Sequence, residues 1–490
     1  MMVKNMSQEH ISSNYDHLIG GRYEEPASGE YSTTEDPSSG IEFSRVADGT
    51  QEDVNHAVKT AKNSFETWRN TDPAERGKLM YNVGQLIREN LDRIAYIESK
   101  DQGKPLSQAR KDIEGAAYYF EYYAGVADKL EGKSIPVGTG KVDYTVREPF
   151  GVSAQIIPWN LPGNLYARGV APALVAGNTV VIKPAPTTPL SAFILTELCH
   201  EAGIPGPVVN VVSGGGETGA ALTGHKNVDC ITFTGSVPTG QQVMESAAHN
   251  VTSITLELGG KNPAIVYPDA NLETAADAIE TGIFTNSGQV CSAADRALVH
   301  ESVHNELVER LVNIVEQYEL GPGVEDPDMG PVNSEEHLEK ISNYIDLARS
   351  EGATVAAGGN VPEGPGHYVE PTILTDVENN MQVAQEEIFG PVLTVIPFND
   401  NDDELALAND VEYGLTAGVF TTDINRAMHA TEKLRAGSVY INQWFGDTNQ
   451  TPFGGFGKSG IGREKGLEAL DSYLQTKNVA IKIDNEDTNN

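Results

Sequence analysis

The fold class follows from Val152-Ser153-Ala154-Gln155-Ile156-Ile157, a short apolar run that ends at Pro158-Trp159-Asn160. Similar β-branched runs recur along the chain, and segments of helical length, such as Leu190 to Ala202, separate them. These runs lie at Val180 to Ile182, Val208 to Val212, Ile231 to Thr234 and Ile254 to Leu256. Strands that alternate with helices predict an α/β fold with a doubly wound parallel sheet.

Polar or glycine-rich residues follow several of these runs, at the point where each strand should end. They are Trp159-Asn160, Lys183, Gly235-Ser236 and Glu257. Ligands of doubly wound sheets bind outside the carboxyl ends of the strands. We therefore expect these residues to meet at one edge of the sheet and to form a binding site there.

Other segments surround this sheet in the sequence. Residues 53 to 130 have the apolar spacing of helices, and a second alternation of strands and helices runs from about 259 to 445. Its strands are predicted at Ala264 to Tyr267 and Val392 to Pro397, and its helices near 301 to 318 and 335 to 350. The Gly259-Gly260 pair is the predicted boundary between the two units. Tyr144 to Arg147 and Val479 to Ile483 look like strands of neither unit, and they could pair with each other or with a partner chain.

The charge balance is strongly acidic, with 70 acidic and 34 basic residues among 490 and a formal net charge of -36. Such a field repels nucleic acid and anionic membranes, so we expect neither as a partner. The charges also repel one another, and salt screens that repulsion. The composition therefore favours a halophile with a salt-rich cytoplasm over an ordinary acidic enzyme.

The cysteines at Cys199, Cys230 and Cys291 are too few for a disulfide framework, and none has the spacing of a metal site. We therefore expect a reducing compartment and no metal. The amino terminus is polar, and no run of about 18 apolar residues occurs. These features predict a cytoplasmic protein without a membrane segment.

Two glycine-rich segments are candidates for binding phosphate. Gly214-x-Gly216-x-x-Gly219 matches a dinucleotide fingerprint, but Asp229 comes too early to be its ribose acid, so a plain glycine-rich turn is an equal alternative. The segment from Gly235 to Gly240 is the stronger candidate. It leaves the Ile231 strand and opens a helix, whose free N–H groups favour an anion.

A thiol and a carboxylate stand out as candidate catalytic groups. Cys291 follows the polar, loop-forming residues 286 to 289, whereas Cys199 and Cys230 have the apolar surroundings of ordinary buried cysteines. Glu257 opens Glu257-Leu-Gly-Gly-Lys261 after a strand; a solvated or ion-paired carboxylate is the alternative. A thiol nucleophile with a nearby carboxylate indicates acyl transfer through a thioester.

Seven motifs together resemble the NAD(P)-dependent aldehyde dehydrogenases of the non-acylating type. They are Pro158-Trp159-Asn160, Lys183-Pro184, Phe233-Thr234-Gly235-Ser236, Glu257-Leu258-Gly259-Gly260-Lys261, Gly288-Gln289-Val290-Cys291, Glu386-Glu387-Ile388-Phe389-Gly390-Pro391 and Pro452-Phe453-Gly454-Gly455. The likeness spans nearly the whole chain, from Ile19-Gly20-Gly21 to Gln475-Thr476-Lys477.

The resemblance implies three domains. The dinucleotide-binding domain would comprise residues 1–135 and 150–258, and the catalytic domain residues 259–470. Residues 136–149 and 471–484 would be oligomerisation strands of a homodimer or homotetramer, and residues 485–490 a tail.

The resemblance also implies catalytic roles. Cys291 would attack an aldehyde and form a thiohemiacetal, and the side-chain amide of Asn160 and the backbone N–H of Cys291 would stabilise the oxyanion. After hydride transfer, Glu257 would activate the water that hydrolyses the thioester. A free thiol is only a few per cent ionised at neutral pH, so we expect the site to activate Cys291.

The resemblance also implies a set of cofactor-binding residues. They are Ile156, Trp159, Lys183, Gly235, Ser236, Glu387 and Phe389. Lys183 resembles the residue at the adenosine ribose, Ser236 the diphosphate contact, Glu387 the anchor of the nicotinamide ribose and Phe389 an apolar wall. The chain departs from the family at Pro186, where members that prefer NAD often have a Glu. This departure predicts use of NADP, with NAD as a second cofactor.

The substrate residues implied are Arg168, Trp444 and Phe453. Gly169 replaces a Lys of many members, and Arg168 matches an Arg of semialdehyde dehydrogenases, where a guanidinium suits a carboxylate. A salt bridge to one of the chain's own acids is the alternative role for Arg168. The polar segment from Trp444 to Thr451 favours a small hydrophilic aldehyde.

The specific substrate hypothesis is 2,5-dioxopentanoate, the semialdehyde of 2-oxoglutarate. Succinate semialdehyde, glyceraldehyde and betaine aldehyde are alternatives. From other classes, a cysteine hydrolase would need a His base, and only His300 lies near Cys291 in sequence. A binding protein without catalytic activity is the remaining alternative. A CoA-acylating enzyme would not need Glu257, so its presence argues for hydrolysis.

Overall fold

The computed structural model describes residues 11–483, so the predicted tail at 485–490 lies outside the described residues. Its helices are α1 Gln51–Arg69, α2 Pro73–Glu89, α3 Leu91–Gln102, α4 Leu106–Ala124, α5 Pro162–Ala176, α6 Leu190–Glu201, α7 Gly216–Thr223, α8 Val237–Ala248, α9 Leu272–Phe284, α10 Glu301–Val315, α11 Glu335–Glu351, α12 Gln382–Gln385, α13 Glu404–Asn409 and α14 Ile424–Lys433.

The strands belong to four sheets. They are β1 Asn14–Tyr15, β2 His17–Ile19, β3 Arg22–Glu24, β4 Tyr31–Asp36, β5 Ile41–Ala47, β6 Ser134–Ile135, β7 Lys141–Pro149, β8 Val152–Ile156, β9 Thr179–Lys183, β10 Val209–Val211, β11 Cys230–Thr234, β12 Ser253–Glu257, β13 Pro263–Val266, β14 Arg296–His300, β15 Thr354–Ala357, β16 Thr372–Thr375, β17 Val392–Phe398, β18 Thr416–Phe420, β19 Ser438–Ile441, β20 Gly460–Ile461 and β21 Leu474–Lys482.

The first large sheet has the order β20-β12-β11-β8-β9-β10-β2-β3. Its five central strands, from β12 to β10, are parallel, and each coincides with one of the predicted runs. Val180, Val181 and Ile182 of β9 are fully buried because helices cover both faces of the sheet. The predicted doubly wound α/β fold is confirmed.

Antiparallel additions at both edges of this sheet were not predicted. The β2–β3 hairpin pairs with β10 at one edge. At the other edge, β20 pairs with β12, with Glu257 opposite Gly460. β20 lies within residues 259–470, which we expected to form the other unit, yet it extends the first sheet and brings the carboxy-terminal segment next to Glu257.

The second large sheet has the order β15-β16-β17-β14-β13-β18-β19 and contains the predicted strands near Ala264 and Val392. β13 lies parallel to β14 and to β18. The chain crosses from β12 in the first sheet to β13 in the second through the Gly259-Gly260 segment. The carboxyl ends of the first sheet therefore stand next to the start of the second.

Two small sheets complete the fold. β7 and β21 pair antiparallel, with Tyr144 opposite Val479, so the two segments that belonged to neither unit pair with each other. β6 lies on the other side of β7, which leaves β21 at the edge of this sheet. A separate sheet of β1, β5 and β4 lies near the amino terminus. Within residues 11–483, no helix is long and apolar enough to cross a membrane.

Candidate active site

The predicted site residues of the first sheet lie at the carboxyl ends of its strands. Ile156 ends β8, Lys183 ends β9 and Glu257 ends β12. Trp159 and Asn160 lie in the turn between β8 and α5, and Ser236 is the N-cap residue of α8. Parallel packing of these strands brings all of these residues to one edge, as expected.

Residues from the second unit lie next to this edge of the first sheet. Cys291 lies in the loop that precedes β14, and Glu387 and Phe389 lie between α12 and β17. A cavity of about 210 Å³ is lined by Trp159, Asn160, Gly235, Ser236, Glu257, Cys291, Glu387 and Phe389, together with His337 and Lys340. The structure thus brings the candidate nucleophile, base and amide into one cavity.

Asn262 anchors the Cys291 loop, a role that the sequence did not reveal. Its buried Nδ2 donates to the carbonyl oxygens of Cys291 at 2.9 Å and of Ala293 at 2.8 Å. Gly260 permits this approach, because a Cβ there would lie 2.5 Å from the Cys291 carbonyl oxygen. Asn262 stands directly after the Glu257 to Lys261 motif, and this proximity was the only sequence signal of its role.

The loop reaches Cys291 through residues with left-handed backbone. Asn286 has φ 53° and Ser287 has φ 55°, both uncommon for residues with a side chain. Gly288 follows with φ 72° and packs so tightly that a Cβ would lie 2.1 Å from the Gly390 carbonyl oxygen. This strained turn places Cys291 at the cavity, a pattern that is typical of functional sites.

Asn160 lies beside this loop and is buried. Its Nδ2 donates to the carbonyl oxygen of Gln289 at 2.9 Å, and the Nδ2 of Asn286 donates to the Asn160 carbonyl oxygen at 3.0 Å. A side-chain amide has two N–H donors, so the bond to Gln289 fixes its orientation and leaves a second donor. That donor belongs to a residue that lines the same cavity as Cys291.

The electrostatics of the site favour the protonated thiol, contrary to the expectation of an activated Cys291. Burial raises the pKa of Cys291 to about 12; Arg168 opposes this shift, and the Glu257 carboxyl adds to it. Burial also raises the pKa of Cys199 and of Cys230 to about 12. Cys291 therefore differs from them in its partial exposure at the cavity, not in its acidity.

Glu257 is fully buried, and burial raises its pKa well above the usual value. The neighbouring Glu464 raises this pKa further, while Arg168 and Arg463 lower it. Among the described residues, no hydrogen-bond donor contacts either Glu257 carboxyl oxygen. Burial without a hydrogen-bond donor therefore favours the protonated form of Glu257.

Arg168 has an acidic partner from the chain itself. Its Nε lies 2.5 Å from Oε2 of Glu464, and its Nη2 lies 3.9 Å from Oε2 of Glu257. The guanidinium also lies over the Phe453 ring, 4.4 Å from its centre. The geometry favours the salt-bridge alternative for Arg168 over a carboxylate clamp, because the guanidinium already has a buried carboxylate partner.

The other two predicted substrate residues also contact the protein. Trp444 is buried, and its Nε1 donates to the carbonyl oxygen of Ser292 at 2.8 Å, directly after Cys291. The Phe453 ring lies between Arg168 and the ammonium group of Lys465, which is 5.5 Å from its centre. Trp444 thus supports the nucleophile loop instead of standing open at an entrance.

A second cavity of about 390 Å³ extends along the carboxyl ends of the first sheet and shares Trp159, Gly235 and Ser236 with the first cavity. Its other residues include Ile156, Lys183, Pro186, Gly216 and Gly219. The glycine-rich segment from 214 to 219 therefore contributes to the cleft. The sequence alone did not decide whether this segment was part of a binding site or a plain turn.

The residues of this cleft fit a nicotinamide dinucleotide. The free N–H groups at the start of α8 suit a diphosphate, and the Ser236 hydroxyl caps the helix by accepting the N–H of Thr239 at 3.4 Å. Burial lowers the pKa of Lys183 to about 8, although Asp48 opposes this shift. Among the described residues, no Asp or Glu lines the second cavity.

Glu387 and Phe389 are held close to the catalytic segments. Oε1 of Glu387 accepts the N–H of Gly260 at 3.1 Å. Burial raises the pKa of Glu387 to about 7, although the bond from Gly260 lowers it. Phe389 has φ 63° and contacts Trp159 edge-on, with ring centres 5.3 Å apart.

In the part of the chain that the structure describes, neither a metal site nor a cysteine-histidine hydrogen bond is found around Cys291. Between residues 11 and 483, no group of three His, Cys, Asp or Glu side chains could hold a metal ion. His300, the sequence candidate for a hydrolase base, contacts Ser302 at 2.8 Å and Asp400 at 3.2 Å. His337 lines the Cys291 cavity, but its Nε2 is bonded to the Phe389 carbonyl oxygen.

Comparisons with known proteins find similar sequences along nearly the whole chain. The sequence profile of the aldehyde dehydrogenase family matches residues 23–479. Aldehyde dehydrogenase 1 of Tanacetum cinerariifolium is 42% identical over 474 residues, which cover 96% of this chain and 95% of that protein.

Solved structures show the same fold. An NAD+ complex of an aldehyde dehydrogenase from Bacillus cereus shares 40% identity and a TM-score of 0.95, covering 96% of this chain and 97% of that one. A betaine aldehyde dehydrogenase from Staphylococcus aureus in complex with NAD+ shares 38% identity and a TM-score of 0.95, covering 98% and 97% of the two chains.

The Arg168–Glu464 pair generates a stability prediction. Arg168→Gln leaves the Glu464 carboxylate buried without its partner, so the free energy of unfolding should fall by about 3–5 kcal/mol. Adding Glu464→Gln to that variant should restore most of the loss. Denaturant unfolding measures both effects, at a fixed high salt concentration.

Arg147→Gln is the matched control, because it removes an ion pair whose acid, Asp471, is exposed. It should change the free energy of unfolding by less than about 1 kcal/mol. The Arg168→Gln and Glu464→Gln single variants complete the comparison. If the variant with both substitutions loses as much stability as these two single variants added together, Arg168 and Glu464 do not act as a pair.

Proposed function

The chain belongs to the aldehyde dehydrogenase family, and we propose that it oxidises a small hydrophilic aldehyde to the corresponding acid through a thioester on Cys291. One observation carries this proposal. Cys291, Glu257 and Asn160 line the same cavity, and Glu387 and Phe389 also line it. A nucleophile, a candidate base and an amide donor are the groups that this reaction requires.

Cys291 is the nucleophile of the proposed mechanism. The thiol releases its proton to solvent, its sulfur forms a bond to the aldehyde carbon, and the electrons of the carbonyl double bond move to the oxygen. The second N–H of the Asn160 amide and the backbone N–H of Cys291 stabilise that oxygen. The bound nicotinamide ring supplies the acceptor for the hydride that leaves the carbon. The carbon then remains attached to Cys291 as a thioester.

Glu257 is the general base of the second half of the reaction. In its ionised form it takes a proton from a water molecule, whose oxygen attacks the thioester carbon and releases the acid and the Cys291 thiol. Burial raises the pKa of Glu257, so its ionised form is a stronger proton acceptor than a solvent-exposed carboxylate.

The cofactor roles follow the positions of the cleft residues. Lys183 binds the adenosine ribose, and Ser236 and Gly235 at the start of α8 bind the diphosphate. Glu387 holds the nicotinamide ribose, and Phe389 and Trp159 form the wall beside the ring. Ile156 contributes to the apolar floor of the cleft. Support comes from the cleft geometry and from the NAD+ bound in the two similar structures.

We propose NADP as the preferred cofactor, with NAD as a second one. Pro186 lines the cleft close to Lys183, at the position where a carboxylate would repel a 2'-phosphate. The absence of acidic residues from the described lining of the cleft supports this preference.

The substrate proposal is a small polar aldehyde, and 2,5-dioxopentanoate remains its specific form. The buried pair with Glu464 removes Arg168 as the support for a carboxylate-bearing substrate. Succinate semialdehyde, glyceraldehyde and betaine aldehyde are therefore tested beside it. The similarity to a betaine aldehyde dehydrogenase supports including the last of these.

The assembly and location are proposed on the same basis. Residues 1–135 and 150–258 would form the dinucleotide-binding domain, and residues 259–470 the catalytic domain. β7 and β21, within 136–149 and 471–484, would join the chains of a homodimer or homotetramer, since β21 is an edge strand. The acidic composition fits a salt-rich cytoplasm.

A substrate panel tests the reaction itself. In molar salt with NADP or NAD, the purified protein should produce reduced cofactor, measured by its near-ultraviolet absorbance, with at least one of the polar aldehydes and faster than with long aliphatic aldehydes. Cys291→Ala should abolish the signal, whereas Cys199→Ala should keep it. No reduced cofactor with any aldehyde would exclude the proposed reaction.

Replacing Glu257 separates the two halves of the reaction. Glu257→Gln should bind cofactor normally, release about one equivalent of reduced cofactor per site and then stall at the thioester, with kcat lowered by roughly 10²- to 10⁴-fold. Rapid-mixing kinetics and mass measurement of the acylated protein check this. The exposed Glu245→Gln is the control, and turnover of Glu257→Gln at the native rate would overturn the assignment.

The cofactor preference depends on Pro186. Pro186→Glu places a carboxylate where the 2'-phosphate would bind, so the ratio of kcat/KM for NADP to that for NAD should fall by about tenfold or more, equivalent to at least about 1.4 kcal/mol. Pro186→Gln is the matched neutral control and should change the ratio much less. A native protein that strongly prefers NAD would contradict the proposal.

A further inference from the structure

One face of α11 holds the loop that carries Glu387 and Phe389. The helix positions involved are 337, 340, 341 and 344, which share a face because they are spaced by three, four and seven residues. In the same order, they contact Phe389, Glu387, Gly390 and Glu386 of the loop. This contact is separate from the catalytic groups described above.

Three hydrogen bonds join the helix to the loop. His337 Nε2 bonds to the Phe389 carbonyl oxygen at 2.6 Å, and Lys340 Nζ donates to the Glu387 carbonyl oxygen at 3.3 Å. The Tyr344 hydroxyl donates to Oε2 of Glu386 at 2.7 Å. Since the Phe389 carbonyl can only accept, the ring of His337 must carry its proton on Nε2.

Close packing joins the helix and the loop between these bonds. Ile341 lies so near Gly390 that a Cβ at Gly390 would be 2.6 Å from the Ile341 side chain. On the far side of the loop, a Cβ at Gly259 would lie 2.1 Å from Oε2 of Glu387. The loop is thus wedged between α11 and the segment that follows Glu257.

His337 also contacts the aromatic wall of the cavity. Its ring centre lies 5.1 Å from that of Trp159 and 5.9 Å from that of Phe389. The bonded carbonyl belongs to Phe389, whose φ of 63° is a costly conformation for a residue with a side chain. A bond to that carbonyl stabilises the conformation that turns the Phe389 ring towards Trp159.

We propose that His337 is a positioning residue, whose Nε2–H holds Phe389 in its left-handed conformation and so sets the Trp159–Phe389 wall across the cavity from Cys291. The inference rests on the proposed function, because that wall is assigned to the nicotinamide ring. His337 acts through Phe389 and requires no contact with substrate. Its burial suits this role, since burial lowers the pKa of His337 to about 4 and keeps the ring neutral.

Two substitutions separate the hydrogen bond from the aromatic contact. His337→Phe keeps a ring but loses the donor, whereas His337→Gln loses the ring but keeps an N–H near the place of Nε2. The Phe variant should raise the KM for the cofactor by about five- to tenfold, as expected for a lost hydrogen bond of roughly 1 kcal/mol. The Gln variant should stay within about twofold of the native protein.

Two further measurements test whether a changed cofactor KM comes from the loss of the His337 hydrogen bond. The rate at which iodoacetamide alkylates Cys291 without cofactor should be unchanged in both variants, because the nucleophile loop is held by Asn262. Asn343→Ala, at an exposed position of α11, should leave the KM and kcat unchanged. A His337→Phe variant with native cofactor KM, or a Gln variant as impaired as the Phe variant, would overturn the proposal.

Trp159 fluorescence tests the positioning role independently of the reaction. The Trp159→Phe variant provides the signal of the other tryptophans, which is subtracted. His337→Phe should shift the Trp159 emission to longer wavelength and increase its quenching by acrylamide, and His337→Gln should not. If the native protein oxidises no aldehyde but this shift occurs, the proposed function fails and the positioning role stands. Identical emission in all variants would refute the positioning role.

Discussion

The active site depends on the side chain of Asn262, which joins segments that are distant in the chain. Its Nδ2 bonds to the Cys291 and Ala293 carbonyl oxygens, and its Oδ1 accepts the N–H of Thr416 at the start of β18. Its own backbone N–H donates to Asp295 at 3.1 Å. Asn262 itself is buried, so leaving its polar groups unpaired would cost more than the net value of each bond. Because Asn262 lies five residues after Glu257, the same anchor links the segments that carry the candidate nucleophile and the candidate base.

A low dielectric and an excess of carboxyl groups determine the proton balance of the site. Burial raises the pKa values of Cys291, Glu257 and Glu387 together, and the carboxyl groups raise the pKa of the thiol further. Arg168 lowers the pKa of Cys291 and of Glu257, but its closest partner is Glu464. Burial and the neighbouring carboxyl groups therefore favour the protonated forms of these groups. The proposed mechanism accordingly includes removal of the Cys291 thiol proton and does not start from a preformed thiolate.

The sequence predicted the central strands and the residues at their ends because both signals are local. Apolar β-branched runs identify strands without knowledge of their partners, and the parallel arrangement then determines which ends meet. The β2–β3 hairpin and β20 were missed because strands of two or three residues leave no periodic pattern. Asn262, His337 and Glu464 were missed for another reason. Each contacts a partner in a distant part of the chain, as Glu464 does with Arg168. The spacing of residues within a short segment cannot predict such a pair.

The acidic composition and the cofactor cleft impose opposite demands. A formal charge of -36 repels an anionic dinucleotide over long distances, yet the described lining of the second cavity contains Lys183 and the start of α8 and no carboxylate. The two effects differ in range. At molar salt the screening length falls to about 3 Å, so the long-range repulsion is largely removed while contacts within the cleft persist. A chain of this composition should therefore bind an anionic cofactor more readily when salt screens its net charge, because the second cavity itself presents no described carboxylate.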